Sequence, residues 1–397
     1  MSRMDDVQNR RRIVIMTIGA FLGFFIFGVV DVLKGSTIPA VLEEMKFTYS
    51  EGGFIVMAAY FGFVAAALTT GFISDRAGKK AVLIIASVFY LAGISSYSSA
   101  QSLWLFIVSF FLIGFGCGSA ELGPNYIIID VQRHKPGLYI NLLTSFYGLG
   151  CMLTPIYAGR MFKAGYTWRE VYQYVLIAPV VLLVYFLVAK YPKMDDSKPA
   201  ALDFRELMRS AFTPTMCWVY VLNFSYVAAE VCIGTWLVEY MRGVHGMPIE
   251  NGNTWLALYF GGIMVGRFVG GFFVDRIGYV RSIIIAVCMC IVCVLLGVFG
   301  SDSLAILLPA TGLFLSIILP TATALVSTMG LKNMGAILGL FFCFVGLGGM
   351  AGPWIAGIVN DWFGLRVGMT TAAFFSAVML VALYFIKKGV DRARQTQ

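Results

Sequence analysis

The sequence predicts an all-α integral membrane protein, with twelve transmembrane helices in two pseudo-symmetric bundles of six. Three observations carry that expectation. Of the 397 residues, 59% are hydrophobic and only 13% charged, about half the charged share of a soluble domain. The mean hydropathy of +0.83 exceeds what a single water-soluble core absorbs, so lipid must cover much of the surface. Finally, apolar runs of about 20 residues, long enough to cross a bilayer, recur along the whole chain.

The elements follow from these runs and from the Gly, Pro and charge clusters that separate them. The first span, 13–34, follows Arg10, Arg11 and Arg12 and continues through Asp31 and Lys34 without a small-residue cleavage pattern, so it reads as a retained helix and not as a signal peptide. Spans 50–73 and 81–99 flank a short charged turn. Span 103–130 ends at Asp130, 137–160 follows Pro136, and 172–190 runs into the polar stretch Tyr191 to Thr213. The second half repeats the pattern with 214–241, 253–274, 281–300, 303–328, 335–359 and 365–386. The domains are therefore 1–190 and 214–397, each a six-helix bundle, joined by a cytoplasmic linker over 191–213.

The formal charge of +8 is read as loop topology and not as a nucleic-acid surface. Most of the 29 lysines and arginines fall on segments that share a side with the N-terminus, which places both termini in the cytoplasm and the protein in the cell membrane. The eight cysteines lie in apolar runs, as small hydrophobes. The two histidines, His134 and His245, are too few for a histidine metal site or a Ser-His-Asp machine. No cofactor, no metal and no enzymatic activity are expected, and a monomer suffices.

Internal repetition gives the sharpest signal. Gly71-Phe-Ile-Ser-Asp75-Arg76-Ala-Gly78-Lys79-Lys80 returns as Gly271-Phe-Phe-Val-Asp275-Arg276-Ile-Gly278-Tyr-Val-Arg281, and Gly148-Leu-Gly150-Cys-Met152 with Pro155 and Gly159 returns as Gly346-Leu-Gly348-Gly-Met350 with Pro353 and Gly357. One six-helix unit has been duplicated. The paired loop motif, complete in the first half and degraded at Tyr279 and Val280 in the second, resembles that of the major facilitator superfamily, and the resemblance covers all twelve spans. It implies a transporter that alternates access by rocking one half against the other. Asp75 and Asp275 would then close helix ends against neighbouring helices, with Arg76 and Arg276 holding the turns made by Gly78 and Gly278.

A charge near the bilayer midplane costs several kcal/mol, so each ionisable residue inside a span needs a partner, a wet cavity or a function. Five stand out, namely Asp31, Glu121, Asp130, Glu230 and Arg267. Glu121 and Asn125 share one helix face beside Pro124, and a carboxylate there can load and release a proton as a cavity alternates between wet and closed. Asn223, Tyr226 and Glu230 form a polar stripe in the other half, and an amide, a phenol and a carboxylate suit a polyhydroxylated ligand. Asp31 precedes Lys34 by three residues, a spacing that permits a local ion pair. Asp130, before Gln132, Arg133 and Lys135, reads as cytoplasmic rim.

The segments Gly118 to Asn125, Asn141 to Ser145, Tyr226 to Glu230 with Trp236, and Leu319-Pro320-Thr321 resemble the fucose, galactose and glucose symporters of the superfamily. The resemblance implies Glu121 as the residue tied to protonation, Asn125 and Asn141 as cavity amides, and Glu230 as a sugar contact. The acidic residue of span 1 in that branch aligns with Gly35 here, and Asp31, one turn earlier on the same face, stands in for it. The reading is cation-coupled, most simply proton-coupled, symport of a monosaccharide across the lipid bilayer. Arg267 supports an alternative, because Gly266-Arg267 resembles the carboxylate-binding arginine of monocarboxylate transporters and would take a small organic anion. A non-transporting membrane sensor is the alternative of another class.

Overall fold

The computed structural model describes residues 3–132, 136–191, 211–329 and 334–395, so most of the linker falls outside the described residues. The first half comprises α1 (Arg3–Met45), α2 (Tyr49–Ala77), α3 (Lys79–Ser98), α4 (Leu103–Val131), α5 (Pro136–Lys163), α6 (Trp168–Val175) and α7 (Ile177–Val188). The second comprises α8 (Pro214–His245), α9 (Ile249–Ile277), α10 (Tyr279–Phe299), α11 (Leu307–Leu315), α12 (Ile318–Ser327), α13 (Met334–Phe363), α14 (Leu365–Met369) and α15 (Thr371–Gln395), with a 3₁₀ turn at Asp302–Ile306. The sixth, tenth and twelfth predicted spans are each met by consecutive helical pieces, which brings the helices to the expected twelve crossings. Among the described residues, 11 helical stretches are long and apolar enough to span a bilayer. The fifth predicted span is the remaining one: α5 has 28 residues but dilutes its apolar character with Asn141, Thr144, Ser145, Tyr147 and Thr154.

The chain divides into two compact units, Met1–Ala40 with Ala58–Pro199, and Val41–Met57 with Ala200–Gln397. The end of α1 and the first two turns of α2 thus group with the second unit, a departure from the boundary expected at the linker. Polar contacts within that unit account for it. Glu239, 1% exposed on α8, accepts a hydrogen bond from Tyr49 Oη at 3.1 Å and pairs with Arg242 at 2.9 Å. Arg242 also reaches Glu43 at 3.1 Å.

Small residues set the helix crossings inside each unit, and they do so at duplicated positions. A Cβ placed on Gly114 of α4 would overlap the carbonyl oxygen of Ala59 on α2, and one on Gly312 of α11 would overlap that of Tyr259 on α9. Gly150 of α5 meets the Phe25 carbonyl on α1, as Gly348 of α13 meets the Phe224 carbonyl on α8. Backbones this close are held by dispersion, which is the available glue where lipid removes the hydrophobic drive.

Candidate functional site

In the first unit the crossing of α1 and α5 places Tyr147 beside Asp31. The Tyr147 hydroxyl donates to Asp31 Oδ2 at 2.9 Å, and Lys34 Nζ pairs with Oδ1. Lys34 also stands 5.2 Å from the centre of the Tyr60 ring on α2, within cation–π range. Asp31, Lys34 and Tyr60 border a pocket whose walls also include Phe63, Cys117 and Tyr172. Cys117 on α4 and Tyr90 on α3, both buried, lie within electrostatic reach of Asp31 and Glu121 alike. The two carboxylates expected to handle protons thus lie within electrostatic range of the same two buried groups.

Asn125 is half-buried one turn beyond Glu121, and its amide N–H donates to the Glu121 carbonyl at 2.8 Å. The expected shared face is present, with one amide hydrogen used by the helix itself. Asn141 is exposed near the start of α5, where its carbonyl accepts from the Thr144 and Ser145 hydroxyls at 2.8 and 3.0 Å. The α5 residue that reaches the α1 carboxylate is Tyr147, which sequence reasoning did not single out. Its signal lay in Gly150 on α5 and Gly28 on α1, since close backbone approach at these two glycines marks where the helices meet.

In the second unit Tyr226, fully buried on α8, is flanked by Glu230 of its own helix and Arg267 of α9. Tyr259 Oη donates to the Glu230 carbonyl at 3.0 Å. Asn223 is also fully buried; its amide N–H donates to the Val219 carbonyl at 2.7 Å, while Oδ1 is buried without a partner. Asn223 and Tyr226 are thus both buried on α8, and Glu230 and Arg267 both lie within electrostatic range of Tyr226.

The loop motif forms the same turn twice. Gly78 and Gly278 take φ of 86° and 91°, a region L side chains avoid, and their N–H groups bond back to Ser74 and Val274 at 3.0 and 2.9 Å. The expected arginine clasp differs in the first half, where Asp75 and Arg76 are exposed and the lysines do the holding. Lys79 pairs with Asp130 at 2.8 Å, which also accepts from Tyr191 at 2.8 Å, and Lys80 donates to the Ala189 carbonyl at 2.7 Å. A lysine stem spans the distance to the ends of α4 and α7, whereas Arg76 still lies on the last turn of α2. Gly71 has open space around it, Arg276 is exposed, and the side chain of Asp275 lies outside the described residues.

Two relatives match over nearly the whole chain. A glucose/galactose transporter of Brucella abortus is 24% identical, with 87% of each chain covered. The L-fucose-proton symporter of Escherichia coli is 22% identical, covering 97% of this chain and 94% of its own. Among solved structures, that of a D-xylose-proton symporter shares the fold at a TM-score of 0.76 and 15% identity, over 94% of this chain and 97% of that one. The twelve helices, the duplicated turn and the duplicated glycine crossings agree with a family model that matches residues 16–303 and 250–397, and the chain belongs to the Major Facilitator Superfamily, as a multi-pass membrane transporter and not an enzyme.

Proposed function

We propose that this transporter imports a neutral monosaccharide together with a proton, with both termini in the cytoplasm. The observation that carries the reading is the gathering of Asp31 and Glu121 around Tyr90 and Cys117 in one unit. Two carboxylates set among apolar helices, one of them, Asp31, at the wall of a pocket, are a costly arrangement whose plainest use is proton exchange. Within the second unit Tyr226 and Glu230 offer a phenol and a carboxylate suited to sugar hydroxyls; Asn125 and Asn141 of the first unit and Asn223 of the second are the further amides assigned to substrate by this reading. The names of the glucose/galactose and L-fucose-proton relatives support the same substrate class.

The organic-anion reading draws less support, because Arg267 and Glu230 flank the same tyrosine and the arginine's charge is met inside its own unit. The gating motif, Gly71, Asp75, Arg76 and Gly78 with Asp275, Arg276 and Gly278, is assigned to conformational exchange. Uptake into proteoliposomes under an imposed inward proton gradient tests the proposal. Accumulation of a labelled neutral hexose, competed by other hexoses and not by lactate-like anions, is the expected result. Gradient-driven accumulation of carboxylates in its place overturns it.

A further inference from the structure

Tyr259 of α9 is fully buried, and its hydroxyl donates to the backbone carbonyl of Glu230 on α8 at 3.0 Å. A helix carbonyl has two lone pairs. The first is used within α8 by the N–H four residues on, that of Gly234, and the second takes the phenol. Gly234 also makes the room. A Cβ on it would lie 3.4 Å from Phe260 Cζ and 3.9 Å from Tyr259 Cε1, so the two rings, set edge to face with centres 5.1 Å apart, lie across a part of α8 that a longer side chain would fill. From the other side, Gly312 of α11 lets the backbone of Tyr259 approach closely. Tyr259 is therefore held at its main chain by α11 and reaches α8 with a rigid ring on two rotatable bonds.

The duplication shows what this contact adds. The Phe25 carbonyl meets Gly150 and the Phe224 carbonyl meets Gly348, and six residues beyond each phenylalanine lies an acidic residue, Asp31 in the first half and Glu230 in the second. The first half brings a phenol directly to its carboxylate, from Tyr147 on α5. By the offset that pairs Gly150 with Gly348, the place of Tyr147 is held by Val345 in the second half, which has no hydroxyl to give. The counterpart of Tyr259 on α2 is Ala59, since Gly114 meets the Ala59 carbonyl as Gly312 meets that of Tyr259. The phenol thus comes from a different helix in each half and binds a different group, the carboxylate of Asp31 but the main chain of Glu230. A hydroxyl has one proton to donate, so Tyr259 holds Glu230 without spending that proton on its carboxylate.

We propose that Tyr259 is a positioning residue of the substrate site: by holding the Glu230 carbonyl it fixes the turn of α8 that presents the Glu230 carboxylate to a sugar hydroxyl. This deepens, and rests on, the reading of Glu230 as a sugar contact. A binding group has to be held to about 0.5 Å by its surroundings, and at this level α8 has Gly234 in place of a side chain that could itself pack against α9. Without the hydroxyl the carbonyl is free to shift, and Glu230 must be ordered again each time sugar binds. The worth of one such bond corresponds to roughly a three- to tenfold loss of hexose affinity.

Two measurements on the purified protein test this. The first needs no sugar: hydrogen–deuterium exchange over the peptide containing Gly234, whose N–H shares the Glu230 carbonyl, should quicken roughly three- to tenfold in Tyr259→Phe. The second is a calorimetric cycle with a neutral hexose over wild type, Tyr259→Phe, Glu230→Ala and the double variant. Tyr259→Phe should weaken binding roughly three- to tenfold in the wild-type background and add nothing once Glu230→Ala has removed the group it positions. Gly234→Leu, which retains the phenol but displaces its ring, should reproduce both effects and replaces Tyr259→Phe should that variant not fold. Unchanged exchange, a lowered melting temperature with unchanged affinity, or an equal loss of affinity in both backgrounds overturns the inference. Quickened exchange in a protein whose wild type binds no neutral hexose, or whose Glu230→Ala variant binds it as tightly as wild type, overturns the sugar reading and leaves Tyr259 as the residue that positions Glu230.

Discussion

Asp361 accepts hydrogen bonds from the backbone N–H groups of both Tyr49 and Ser50, each at 2.8 Å. Tyr49 is the first residue of α2, and the opening N–H groups of a helix have no partners within it. Thr48 and Glu51 bond reciprocally and serve the Glu51 N–H, which leaves the two N–H groups that Asp361 takes. A carboxylate at the end of α13 thereby completes the cap of a helix remote in sequence and fixes residues 41–57 on the second unit. With the Tyr49–Glu239–Arg242–Glu43 chain, it forms a polar clasp.

Asp361→Ala should therefore loosen α2 at its start without unfolding the unit. A lost helix cap costs about 1–2 kcal/mol, so amide exchange at Tyr49 and Ser50 should quicken roughly tenfold, and Asp361→Asn, which keeps one acceptor oxygen, should fall between. Hydrogen–deuterium exchange resolved to the peptide containing these residues decides it. Wild-type protection in Asp361→Ala would mean the clasp rests on Glu239 and Arg242 instead.

The duplicated crossings predict a contrast between two glycines. Gly114→Ala must push α4 away from the Ala59 carbonyl, whereas Gly71→Ala meets open space. Overpacking typically costs about 1–3 kcal/mol, so the melting temperature of the detergent-purified Gly114 variant should drop by several degrees and that of the Gly71 variant should hold. Equal melting temperatures would show that the α2–α4 contact tolerates the methyl group.

The helices, the duplication and the ion pair on α1 were legible because their signals are local: hydropathy over one span, a motif repeated, a spacing of three residues. Tyr147 was not, since its bond to Asp31 depends on where two helices cross, and Gly150 fixes that crossing only through the shape of α1 opposite. The clasp joining Glu43, Tyr49, Glu239, Arg242 and Asp361 was hidden for the same reason; each residue alone reads as an ordinary helix-end charge or ring. Asn223 misled in the opposite way. Its spacing from Tyr226 and Glu230 marks one face correctly, yet the amide turns back to the Val219 carbonyl, a local competition that spacing does not reveal.

Glu121→Gln should abolish accumulation driven by a pH gradient while leaving exchange of sugar across the membrane at least partly intact. A neutral amide still hydrogen-bonds a ligand but has no proton to carry. The measurement is labelled-hexose uptake set beside counterflow in the same vesicles. Full retention of gradient-driven uptake in Glu121→Gln would remove that residue from coupling and leave Asp31 as the sole carrier of the proton.

Arg267 decides between neutral and anionic cargo. If it balances Glu230 across Tyr226, Arg267→Gln leaves a carboxylate in an apolar setting without its nearby cation, and stability should fall by about 1–3 kcal/mol, with part recovered in the Glu230→Gln/Arg267→Gln double variant. Hexose affinity measured by calorimetry should change little, while turnover slows. If the arginine instead binds an anionic ligand, the substitution removes a counter-charge from a low-dielectric cavity, a loss of about 2–3 kcal/mol or roughly a hundredfold in affinity. The two cases separate cleanly because the first moves melting temperature and turnover and the second moves the dissociation constant. A hundredfold loss of affinity, joined to selective binding of carboxylates by the wild type, would overturn the sugar assignment and return Arg267 to the substrate site.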